Sequence, residues 1–182
     1  MLKLAMQVIL LLMLSACSMS PTASADTPST NRPFTTTPIA TFDSPWAMAF
    51  IPGGNTALVT EKPGRIWLVD VSNGRKQPVS GAPSVVLSSQ GGLLDIKLSP
   101  TFPTDKLVYL SYAEPSPNGG SSLALARARY DGANLSGLRV LWRDPGGGEG
   151  GQFGAIIAFA PNGKSLFLSS GERQRVRAQW WC

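Results

Sequence analysis

Three segments of this chain repeat one design: W-A-M-A-F-I-P-G-G-N-T-A-L-V-T-E (46–61), L-D-I-K-L-S-P-T-F-P-T-D-K-L-V-Y-L-S-Y (94–112) and A-I-I-A-F-A-P-N-G-K-S-L-F-L-S-S-G-E (155–172). In each, apolar residues alternate, a proline-centred turn interrupts them, and a second β-rich run follows, so each reads as two antiparallel strands joined by a turn. The turn prolines Pro52, Pro100 and Pro161 lie 48 and 61 residues apart. Those distances suit propeller blades of about four strands, which run to roughly 40–50 residues when loops are short. A β-sandwich also has alternating strands but does not require self-similar units, so the repeat favours an all-β fold, a β-propeller with about three blades present. R-I-W-L-V-D (65–70), after the Pro63-Gly64 turn, and L-A-L-A-R-A-R-Y (123–130), before Asp131-Gly132, are expected as outer strands. Three blades do not close a ring, and an open array leaves an exposed edge, so the chain is expected either to pair with another copy or to be incomplete.

A length of 182 residues with 43% hydrophobic content supports one domain with a core, and 19 glycines and 15 prolines suit a chain that reverses often and has few helices. The formal charge of +5 is scattered apart from Arg173, Arg175 and Arg177. Without a basic helix or an RNA-binding motif it does not point to nucleic acid. The chain contains no histidine, which removes the commonest general base and metal ligand.

Residues 1–16, with Lys3 followed by an apolar run, have the layout of a secretory signal and are short for a spanning helix. The run ends in L-S-A-C (14–17), which resembles a bacterial lipoprotein signal in which Cys17 is lipidated. Ser18, by the same resemblance, favours the outer membrane, facing the periplasm. The alternative is an ordinary signal cleaved around Ala23 to Ala25, giving a soluble periplasmic product. Residues 17–41, rich in Ser, Thr, Pro and Ala, read as a tether, with the folded domain starting at Phe42. Cys182 is the only other cysteine, so no disulfide framework is inferred.

The stretch G-G-G-E-G-G-Q-F-G (146–154) holds six glycines and a formal G-x-G-x-x-G at Gly146, Gly148 and Gly151. A dinucleotide loop needs a helix starting on it, whereas Phe153–Ala160 reads as a strand. A linker and an active-site loop are the other readings.

S-P-W-A-M-A-F-I-P (44–52), L-V-T-E-K-P-G-R-I-W-L-V (58–69), Q-G-G-L-L-D-I-K-L-S-P-T-F (90–102), V-Y-L-S-Y-A-E (108–114), A-F-A-P-N-G (158–163) and G-E-R-Q (171–174) resemble, in order, the soluble PQQ-dependent aldose sugar dehydrogenases, also called glucose/sorbosone dehydrogenases. The resemblance covers most of residues 42–174. It implies a six-bladed propeller holding pyrroloquinoline quinone (PQQ) and Ca²⁺, and oxidation of an aldose sugar at C1 to the lactone with a His as general base. That His falls in a G-G-H-F-G-G-R-L motif, which matches G-G-Q-F-G-A-I-I (150–157) here, so Gln152 stands at the base position and Ile156 at an arginine. An amide hydrogen-bonds but has no usable basicity near neutral pH, so proton abstraction is expected to fail or be very slow. Gln90 matches a family glutamine that faces cofactor and substrate, and Glu172 matches the acid that orients the His. Read without the family, Gln90 serves equally as a polar cap of a turn and Glu172 as a solvated carboxylate.

The family continues through further blades that carry most cofactor and Ca²⁺ contacts, and residues 175–182 read as an aberrant tail. Two functions are therefore expected in competition: an aldose sugar dehydrogenase, or a truncated, non-catalytic propeller fragment or binding module.

Overall fold

The computed structural model describes residues 33–117, 119–146 and 151–173. The expected signal, Cys17, most of the expected tether and the terminal tail lie outside the described residues. From Pro38 on, the chain forms one compact unit.

That unit is a partial β-propeller of three successive antiparallel sheets. The first is a meander of β1 (Pro45–Phe50), β2 (Thr56–Glu61), β3 (Arg65–Asp70) and β4 (Lys76–Val79). The second repeats it with β5 (Leu93–Leu98), β6 (Leu107–Pro115), β7 (Ser121–Tyr130) and β8 (Leu135–Arg143). The third has β9 (Gly154–Phe159) and β10 (Leu166–Ser170) among the described residues. The paired strands of each sequence repeat are thus β1–β2, β5–β6 and β9–β10. The segments expected as outer strands are β3 and β7, but each is the third strand of its sheet, and β4 and β8, pairing beyond them, form the outer edges. The turn at Pro100 also carries a single helical turn, α1 (Phe102–Asp105).

The repeat extends below the level of strands. Each innermost strand is bulged near its start, between Pro45 and Met48, between Leu93 and Ile96, and between Gly154 and Ile157, where its register with the next strand shifts. A bulge leaves a backbone group without its ladder partner, and a side-chain hydroxyl from the second strand of the repeat takes it up. The Ala47 N–H donates to Thr60 Oγ1 (3.1 Å), the Asp95 N–H to Ser111 Oγ (3.0 Å) and the Ile156 N–H to Ser169 Oγ (2.9 Å). Thr60 then donates to the Leu94 carbonyl of the next blade at 2.7 Å, and Ser111 to the Ala155 carbonyl of the next at 2.6 Å. Each of these two hydroxyls therefore closes a bulge in its own blade and fastens the following blade.

Apolar layers fill the gaps between sheets. Leu58, Ile66, Ile96, Val108 and Leu110 are among the buried residues between the first two sheets. Leu94, Ala113 and Leu123 meet Phe153 and Ala155 between the second and third. Strand β5 is covered on both faces, which is why L-L-D-I is buried without alternation. Its buried charged member, Asp95, is held in the interior by accepting the Ile157 N–H at 2.7 Å and its neighbour's N–H at 2.9 Å, with Lys97 Nζ at 3.8 Å.

Candidate active site

The loop entering β5, the approach to β9 and the exit of β10 meet at one end of the second and third blades. Gln90 lies just before β5, after a turn closed by the Gly91 N–H on the Ser88 carbonyl (2.8 Å). Its side-chain Oε1 does not serve that turn. It accepts the backbone N–H of Gln152, 62 residues on, at 2.8 Å. The approach is close enough that a Cβ on Gly151 would stand 2.9 Å from Gln90 Cδ, so a side chain at 151 would displace Gln90.

Gln152 is exposed and sits in the left-handed region at φ 52°. With its amide turned so that nitrogen rather than oxygen faces the acid, the side chain donates to the carboxylate of Glu172. Gly171 brings the two segments together: its N–H donates to the Phe153 carbonyl at 3.0 Å, and a Cβ there would overlap the Gln152 carbonyl oxygen. Gln90, Gln152 and Glu172 are therefore assembled in one place, Gln90 on the backbone of residue 152 and Glu172 on its side chain. Ile156 is 53% exposed on β9.

Ala155 has φ 65°, a conformation that costs an L-residue about 1–2 kcal/mol, and the family motif has glycine there. Among the described residues no group of three or more His, Cys, Asp and Glu gathers as a metal cluster, and no helix is long and apolar enough to cross a membrane.

The profile of the family described as Glucose / Sorbosone dehydrogenase matches residues 42–180. The chain belongs to the glucose/sorbosone dehydrogenase family. Within that family it is 35% identical over 141 residues to the aldose sugar dehydrogenase YliI of Escherichia coli (strain K12), covering 75% of this chain and 38% of that one. Among solved structures it is similar to a glucose dehydrogenase (37% identity, TM-score 0.69, 73% of this chain and 42% of that one). It is also similar to the soluble aldose sugar dehydrogenase of Escherichia coli in its apo form (32%, TM-score 0.68, 73% and 39%). A third similar structure is the PQQ-bound form of the aldose sugar dehydrogenase of Streptomyces coelicolor (32%, TM-score 0.64, 75% and 41%). The chain spans about two fifths of the length of these glucose/sorbosone dehydrogenase relatives.

One residue of the site went unread in the sequence. Arg173, in the sequence one of three closely spaced arginines and part of G-E-R-Q, is 1% exposed and reaches under the loop that carries Gln152. Nothing in sequence pattern distinguishes it from the basic residues around it. A buried arginine becomes visible only when its partners are.

Proposed function

We propose that this chain carries the base-loop side of a site for oxidising aldose sugars at C1 to lactones with PQQ, with glutamine in place of the general base. One observation supports it above others: Gln90, Gln152 and Glu172, drawn from three separated segments, hydrogen-bond in one cluster. PQQ, when bound, supplies the oxidant that accepts hydride from the sugar. The described residues fit the hydrogen-bonding edge of such a group. Gln90 is pinned by its oxygen to the Gln152 amide and by the close approach of Gly151, which leaves its amide nitrogen as the donor to a ligand. Lys62 Nζ donates to the Ser89 carbonyl at 2.9 Å, bringing positive charge beside Gln90 for an anionic cofactor. Ca²⁺ belongs to the proposal by resemblance alone, with no ligand named in this chain.

Gln152 orients and hydrogen-bonds but does not take a proton, and Glu172 accepts its amide instead of polarising an imidazole. That geometry also favours a second reading, a binding module that takes up cofactor or sugar without turnover. Export by residues 1–16, lipid attachment at Cys17, an outer-membrane location facing the periplasm and pairing of two half-propellers rest on the sequence and are proposals of the same kind.

The purified chain, mixed with PQQ, Ca²⁺ and glucose, is assayed for dye reduction and, after gel filtration, for retained PQQ. The proposal expects retention with slow, glucose-dependent reduction. Retention with no reduction selects the binding module, and neither would overturn both.

A further inference from the structure

Arg173 follows Glu172 directly, yet the two side chains go opposite ways: Glu172 is exposed and Arg173 is buried. The backbone at Arg173 makes this possible by adopting φ 61°, a left-handed conformation uncommon for a long side chain. Such a conformation persists only where the surroundings over-determine it, and the surroundings here do. The guanidinium carbon lies 3.6 Å from the centroid of the Phe153 ring. Nε donates to the Gly151 carbonyl at 3.3 Å, Nη2 to the Ser121 carbonyl at 3.1 Å, and Nη1 stands 3.6 Å from Asp144 Oδ2.

The partners fall in a pattern. Gly151 and Phe153 are the two neighbours of residue 152, both buried, with Gln152 exposed between them. Ser121 starts β7 and Asp144 follows β8, so the other arms of the fork are anchored to the second blade. One side chain thus holds the Gly151 carbonyl on one side of residue 152 and the Phe153 ring on the other and, through its own position next in the chain, fixes Glu172. The planar guanidinium suits this because it stacks and forks at once, which an ammonium cannot do.

We propose that Arg173 is a positioning residue, holding Glu172 opposite residue 152 by clamping Gly151, Phe153, Ser121 and Asp144. It rests on the reading above only for calling residue 152 the base position. It is not a catalytic residue, since it is buried beneath the loop rather than in contact with the site.

The chain has no histidine, so Gln152→His installs a single imidazole whose titration can be followed by ¹H–¹³C NMR without PQQ or sugar. Next to the Glu172 carboxylate it is expected to titrate above the unperturbed value of about 6.5. Two further variants are made in that background, Arg173→Lys, which keeps the charge but not the fork or the stacking, and Arg173→Met, which loses all three. Both are expected to lower the titration midpoint by about one pH unit as Glu172 swings away, with the strand amide signals unchanged. Removing a nearby cation acts the other way and raises the midpoint, so a rise in Arg173→Met would overturn the proposal. An unchanged midpoint in Arg173→Lys would overturn it too, and that variant decides the matter where Arg173→Met does not fold. Because no cofactor takes part, a failed dye-reduction assay leaves this inference standing, and a flat titration ends it whatever the activity.

Discussion

At residues 152–155 the backbone is strained around the site. Gln152 at φ 52° and Ala155 at φ 65° occupy left-handed conformations on either side of Phe153 and Gly154. The strain aims Gln152 outward while Phe153 and Ala155 stay buried, so it is part of what presents the residue. Ala155 gains nothing from its Cβ that glycine would forfeit beyond one buried methyl. Ala155→Gly is therefore expected to stabilise the chain by about 1 kcal/mol, the left-handed penalty less the lost burial, read as a higher midpoint in urea with unchanged slope. A lower midpoint would mean that the methyl in the layer with Leu94 and Leu123 outweighs the strain. Residue 152 itself was legible in the sequence because glycines at 150, 151 and 154 frame it and the family motif names its place. Its tie to Gln90 was not, since nothing in a linear pattern shows that a side chain 62 residues away caps its N–H.

At the scale of elements, the blades are held by a few buried polar groups that recur at equivalent places. Ser111 accepts from Asp95 N–H and donates to the Ala155 carbonyl, so Ser111→Ala leaves a buried donor and a buried acceptor unsatisfied at the junction of two blades. The expected loss is about 2–6 kcal/mol, from two groups each worth about 1–3, measured by chemical denaturation. A loss under about 0.5 kcal/mol would show that the hydroxyl is incidental.

Asp105 closes the turn between β5 and β6 by accepting from Ser99 Oγ (2.6 Å), Thr101 Oγ1 (2.8 Å) and the Leu107 N–H (2.9 Å). Partial burial works against its charge, but these hydrogen bonds, with the field of Arg129, hold its pKa below the usual carboxylate value. A lowered folded-state pKa means stability that is present above the unfolded value near 3.9 and is lost as the pH falls through the folded one. Asp105→Asn is expected to cost about 1–2 kcal/mol at pH 7, with the gap to wild type closing below about pH 4. A gap that stayed constant with pH would mean that the carboxylate charge contributes nothing. Strands β1, β2, β3, β5, β6, β7, β9 and β10 were legible because alternation and proline turns mark them. Strands β4 and β8 were not. β4 is K-Q-P-V, whose proline disfavours a strand except at an edge, and β8 is a largely exposed outer strand that no buried face patterns.

For the whole molecule, a strand pair with a bulge met by a side-chain hydroxyl recurs in all three blades among the described residues. That self-similarity is why a propeller could be read from one sequence while the contacts between blades could not. Function is less local: the site sits where segments near residues 90, 152 and 172 converge, and only the fold brings them together. The central claim is that residue 152 occupies the base position beside Glu172, and that glutamine there removes basicity while preserving the arrangement. The most direct measurement compares PQQ- and Ca²⁺-dependent glucose oxidation by the wild-type chain and by Gln152→His in the same dye-reduction assay. The account predicts a rise of about 10²–10⁴-fold in Gln152→His, the range a positioned general base supplies, growing with pH as the imidazole loses its proton. Equal rates in the two proteins, or a slower rate in Gln152→His than in the wild-type chain, would contradict it.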